Sequence, residues 1–189
     1  MIGDVAGKGP PAAILAAVIQ GMVATLVSAG GTPRTILERL NQALLRRMAE
    51  SRFATLVLGI VDPAGRMTLA NAGHPRAVLV RGDGSTARLE RGGFLLGVFG
   101  QPQLEDEVVQ LRPRDSVVLF SDGVSEARNG SGEEFGEARV LAAAATARDL
   151  CPERALEALL DEVWRFKGGT PPEDDVTVLV LRYQAQAGA

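Results

Sequence analysis

The sequence predicts an α+β fold layered from helices and antiparallel sheet. Two helical patterns come first, a group of short strands follows, and two more helices precede a last strand. Blocks of helices around blocks of strands, without regular alternation, mark that class. With 189 residues, 46% of them apolar, the chain can bury one sizeable core, so a single domain is expected.

The first helix opens at Pro10-Pro11, residues suited to a first turn, and ends at Gly30-Gly31. Its apolar run from Ala12 to Ala29 approaches the length of a membrane span. Gln20, Gly21, Thr25 and Ser28 interrupt that run, and neither an aromatic belt nor a basic far flank accompanies it. A buried helix is expected, and no membrane insertion. Thr32 and Pro33 cap a second helix, 33–50, in which Ile36, Leu37, Leu40, Ala43, Leu44 and Met48 recur at helical spacing.

"FATLVLGIV", "RMTLANAG" and "RAVLVRG" read as successive strands, separated by turn chemistry at Asp62 to Gly65, Asn71 to Pro75 and Gly82 to Gly84. Connections this short imply antiparallel pairing. "DEVVQL" and "DSVVLFS" add two strands joined at Arg112-Pro113-Arg114, and the second runs into Asp122-Gly123. "RNGSGEEFG" is a loop. Helices follow near 137–148 and 153–167, the latter turning Leu156, Leu159, Leu160, Val163 and Trp164 toward a core. "DDVTVLVLRY" closes the fold, and residues 184–189 form a frayed tail behind a domain spanning 1–183.

A formal charge of −3 with scattered arginines gives no footprint for nucleic acid. One cysteine, Cys151, and one histidine, His74, cannot supply an internal disulfide or a Cys/His zinc cluster. Asp4 and Lys8 precede any apolar run, unlike a signal peptide, so a reducing, cytoplasmic setting is expected.

"GDVAGKGP" invites a nucleotide-loop reading that fails twice: Gly9, not Ser or Thr, follows Lys8, and Ile2 stands where the first glycine belongs. Asp4 is the better clue. It follows "MIG", Asp122 follows "VVLFS", and Asp174-Asp175 precede "VTVLVL", so each acid lies at a strand terminus. Carboxylates on neighbouring strand ends can converge, and their repulsion then calls for a cation. An all-oxygen ligand set selects magnesium or manganese. The plain alternative is that Asp-Gly and Asp-Asp only make turns.

"GDVAGKGPPAA", "FATLVLGIVDPAGRMTLANAGHP", "LGV", "LRPRDSVVLFSDGVSEARN", "EEFG" and "DDVTVLVLR" together resemble the phosphatase domain of the bacterial SpoIIE and RsbU type. That family is a branch of the metal-dependent protein phosphatase 2C group. The resemblance runs in order from Gly3 to Arg182. It implies a four-layer α/β/β/α sandwich of two mainly antiparallel sheets with two Mn²⁺ or Mg²⁺ ions at one edge. Asp4 matches the bridging carboxylate and Val5 the carbonyl ligand. Asp122 and Asp174 match the remaining acidic ligands, and Asp175 is a further or alternative one. Asp4, Asp122 and Asp174 are therefore the expected catalytic residues of a serine/threonine phosphatase that works through a metal-activated water. The implied substrate is a phosphorylated regulatory protein, a STAS-type anti-sigma-factor antagonist.

Family members usually carry a Gly-Gly-Asp segment upstream of "GDV", which this sequence does not contain. One acidic contributor and at least one N-terminal strand are expected to be missing, and the bared strand edge favours self-association as a homodimer. A catalytically silent binding module with the same fold is the rival reading. His74 in "NAGHP" reads as a turn histidine satisfied by local hydrogen bonds, with an acid or phosphate-contacting role as the alternative. Lys8 between two glycines reads equally as a phosphate contact or as loop.

Overall fold

In the computed structural model, which describes residues 1–47, 53–171 and 173–185, the described residues form eight strands and five helices. In chain order these begin with β1 (Ile2–Val5), α1 (Pro10–Ser28), α2 (Pro33–Arg47), β2 (Ala54–Val61) and β3 (Arg66–Ala72). Next come β4 (Val78–Val80), β5 (Thr86–Arg88), β6 (Glu107–Gln110) and β7 (Ser116–Phe120). The last are α3 (Asp122–Ser125), α4 (Gly136–Thr146), α5 (Pro152–Lys167) and β8 (Val178–Arg182). They form two four-stranded sheets, ordered β1-β2-β3-β6 and β5-β4-β7-β8, within two compact units.

The first unit comprises residues 1–62, 66–74 and 91–109. β2 pairs antiparallel with β1 on one side and β3 on the other. The β2–β3 turn closes because Asp62 Oδ1 accepts the Arg66 N–H at 2.9 Å, the local bond that makes Asp a turn former. α2 buries Ile36, Leu37, Leu40 and Leu44 against Leu56, Leu58 and Ala70 of the sheet, as its spacing predicts. Met48 and residues 48–50 of the expected second helix lie outside the described residues.

α1 departs from the expectation of a buried helix. Only Leu15, Ile19 and Val23 are fully buried, whereas Ile14 is 65% exposed and Val18 43%. Those three residues follow i, i+4, i+8 spacing, a single edge of the helix. The helix is apolar nearly all round, so burying one edge leaves apolar residues on the opposite side. By length and composition α1 could also cross a membrane.

The second unit comprises residues 63–65, 75–90 and 110–189. Here β4 pairs antiparallel with β5 and β7, and β7 with β8. All five residues of β7 are buried, which explains its unbroken apolar run. α4 and α5 contribute Val140, Ala144, Leu159 and Val163 to a core with Val78, Val80, Val118 and Phe120. Each unit thus contains a cluster of buried side chains.

Several expectations are corrected here. β3 and β4 are consecutive and closely connected, yet they pair in different sheets, and so do β6 and β7 across Arg112-Pro113-Arg114. Trp164 is 43% exposed, because Ala155, Leu159 and Val163 occupy the buried edge of α5. β5 and the single-turn α3 were not foreseen, both being too short to carry a periodic signal. Residues 186–189 of the expected tail lie outside the described residues.

At the start of β7, Asp115 is 2% exposed and bonded to the Arg81 guanidinium at 2.7 Å. It also accepts the N–H groups of Gly82 at 3.0 Å and Arg112 at 2.8 Å. Burial alone would raise its pKa, but these donors outweigh that and hold the carboxyl below its ordinary value.

Candidate functional site

Strand register brings together the backbone segments that carry two of the expected acids. β7 and β8 pair with Phe120 opposite Val178. The residue after β7 therefore meets the residue before β8: Ser121 N–H donates to Thr177 O and Thr177 N–H to Ser121 Oγ, both at 3.0 Å. One step further, the Ser121 hydroxyl donates to Asp175 O at 2.7 Å. Ser121 is 7% exposed, so its hydroxyl closes a clasp away from solvent. A methyl group at Gly123 would collide with Asp175 O and stand 2.9 Å from the Asp175 carbonyl carbon. Glycine is therefore required where the Asp122-Gly123 and Asp174-Asp175 segments touch.

Within the clasp each acid organises its own turn. Asp122, half-buried at the first position of α3, accepts the Gly123 N–H on Oδ1 at 2.9 Å. Asp174, exposed, accepts the Asp175 N–H on Oδ1 at 2.8 Å. Asp175 serves the clasp through its backbone carbonyl. An open groove of about 290 Å³ runs beside them, lined by Gly123, Glu126, Arg128, Lys167, Glu173 and Asp174 among others. Lys167 is buried at the end of α5 and donates to Pro171 O at 3.0 Å, and Arg128 pairs with Glu134 at 2.6 Å.

Asp4 and Val5 belong to the first unit. Asp4 is exposed on β1, with Thr55 of β2 as its cross-strand partner, and half-buried Val5 lies opposite Ala54. Behind β1 the chain turns through Gly7 and Gly9, whose φ values of 106° and 79° favour glycine, with Lys8 exposed between them. His74 is 6% exposed and held locally: its N–H donates to Asn71 Oδ1 at 2.8 Å and its carbonyl accepts from Asn71 Nδ2 at 2.9 Å. These local bonds hold the His74 backbone and not its ring. Its Nδ1 also lies 2.9 Å from Thr55 Oγ1, a contact sequence reasoning did not foresee.

Among the described residues no three His, Cys, Asp or Glu side chains stand together as a group able to hold a metal ion. The second unit does offer the right donors for a hard cation: two carboxylates on touching backbone segments, with oxygen donors throughout. The residues present fit Mg²⁺ or Mn²⁺ in chemistry. Ser121 was missed as the clasp; its signal was the Ser directly before "DG" at the end of a buried strand.

Comparison with known proteins extends these observations. A family model described as Stage II sporulation protein E (SpoIIE) matches residues 1–184. The phosphoserine phosphatase RsbU of Bacillus subtilis is 32% identical over 133 residues, which make up 69% of this chain and 40% of RsbU. The chain thus spans two fifths of that relative. The structure of the SiaA-PP2C domain of Pseudomonas aeruginosa superposes with a TM-score of 0.81 at 25% identity, covering 96% of this chain and 74% of that one. The manganese-presoaked phosphatase domain of SpoIIE from Bacillus subtilis gives a TM-score of 0.63 at 19% identity, over 90% of this chain and 76% of that one, a likeness of fold.

Proposed function

We propose that this chain, which belongs to the SpoIIE family, is a metal-dependent phosphatase that hydrolyses phosphoserine or phosphothreonine on a regulatory protein. The observation that carries this is the clasp that holds Asp122 and Asp174 on touching backbone segments. An Asp-Gly turn needs no such clasp; a pair of ligands does, because carboxylates that are to share a cation must be held against their repulsion. Two divalent cations, Mn²⁺ or Mg²⁺, would supply a water acidic enough to attack phosphorus at neutral pH and positive charge for the phosphoryl oxygens.

Asp122 and Asp174 are assigned as ligands by motif, and the contact between their backbone segments supports the assignment. Asp4, the Val5 carbonyl and Asp175 are assigned by motif. Gly123 allows the close approach of the two segments, and the Ser121 hydroxyl fixes it. A STAS-type anti-sigma-factor antagonist as substrate rests on the family resemblance and on the likeness to RsbU, named a phosphoserine phosphatase; a cytoplasmic location rests on the single cysteine.

Incubating the purified protein with a phosphoserine-bearing protein, with Mn²⁺ or with EDTA, tests the assignment. Release of phosphate should require the metal. A catalytically silent binding module, favoured by the lack of a three-ligand group among the described residues, would bind the partner and release none.

A further inference from the structure

We propose that His74, acting through Thr55, is a positioning residue for Asp4; the inference rests on the phosphatase reading and extends it to the first unit. In the antiparallel β1–β2 pair Asp4 and Thr55 are cross-strand partners, so their side chains stand on the same face with Cβ atoms about 5 Å apart. The Thr55 hydroxyl is in turn 2.9 Å from His74 Nδ1. A chain of contacts therefore runs from the buried imidazole, through Thr55, to the strand position of the acid.

The imidazole is held firmly enough to act as a reference point. Asn71, itself 4% exposed, grips both backbone polar groups of His74, and its own carbonyl accepts the Gly93 N–H at 2.8 Å. Between them Gly73 has φ of 70°, and a Cβ there would press on Leu95 N at 3.0 Å, so the turn has little freedom. A turn alone does not need a buried imidazole, because burying a polar ring is unfavourable unless it is hydrogen-bonded. The bond to Thr55 meets that need at Nδ1 and at the same time restricts the Thr55 rotamer beside Asp4. Partners that orient ligands in this way typically influence metal affinity tenfold to a hundredfold.

The test is Mn²⁺ titration of the full chain at constant pH, with metal-free melting measured alongside. Thr55→Val keeps the shape and removes the hydroxyl; it should weaken Mn²⁺ binding roughly tenfold. Thr55→Ser should stay within about twofold of the wild type. His74→Asn, which can place an amide atom near the position of Nδ1, should also be retained, whereas His74→Leu should match Thr55→Val. A second readout needs no variant. His74 is the only histidine in the chain, so its ring ¹⁵N signals are unambiguous and should shift when Mg²⁺ is added to the metal-free protein. Unchanged Mn²⁺ affinity in folded Thr55→Val and His74→Leu overturns the proposal, as do ring signals indifferent to Mg²⁺. Failure of the wild type to bind Mn²⁺ at all overturns instead the functional reading beneath it.

Discussion

A methyl group at position 123 would strike the Asp175 carbonyl oxygen, so Gly123→Ala must push apart the segments that carry Asp122 and Asp174. Overpacking of this kind costs about 1–3 kcal/mol, which calorimetry would register as a lowered melting temperature, and Mn²⁺ affinity should fall with it. Asp115 has a different role. Its folded pKa lies below the unfolded value, so its contribution to stability is present above about pH 4 and is lost as pH falls through the folded value. Urea midpoints measured from pH 7 to pH 2 should show this decline, and Asp115→Asn should flatten it. Because the substitution leaves Arg81 without its buried partner, it should also lower stability at pH 7 by roughly 2–4 kcal/mol.

At the scale of elements, periodicity identified α2 and α5 and the buried strands β2, β3 and β7, because each carries a long or uninterrupted apolar signal. It failed for α1 in a specific way. An Ala-rich helix that is apolar all round does not announce which edge the sheet will cover, and packing chose Leu15, Ile19 and Val23. Leu15→Ala or Ile19→Ala should therefore cost about 2–5 kcal/mol, whereas Ile14→Ala should change stability by less than about 0.5 kcal/mol. Comparable losses at positions 14 and 19 would show that the helix packs differently. Sheet membership was equally hidden. The links from β3 to β4 and from β6 to β7 read like hairpins, yet each passes to the other sheet, a choice made by long-range pairing of β4 with β7 and of β7 with β8.

For the molecule as a whole, the candidate acids were legible as residue types at strand ends, and their roles only through a family resemblance that the SpoIIE match over residues 1–184 supports. Sequence could not show that Asp122 and Asp174 are held by Ser121 and Gly123, since that depends on the β7–β8 register. Nor could it show that His74 reaches Thr55, 19 residues away. If these features serve a metal-dependent phosphatase, the chemistry must depend on cation and carboxylates together. The most direct measurement is phosphate release from a phosphoserine protein with Mn²⁺, comparing wild type with Asp122→Asn and Asp174→Asn and with an EDTA control. The wild type should turn over only with metal, and each substitution should lower the rate at least about a hundredfold, at or beyond the upper end of what partners of ligands contribute. Equal rates in EDTA and in Mn²⁺, or full activity of the folded Asp122→Asn and Asp174→Asn proteins, would contradict the assignment.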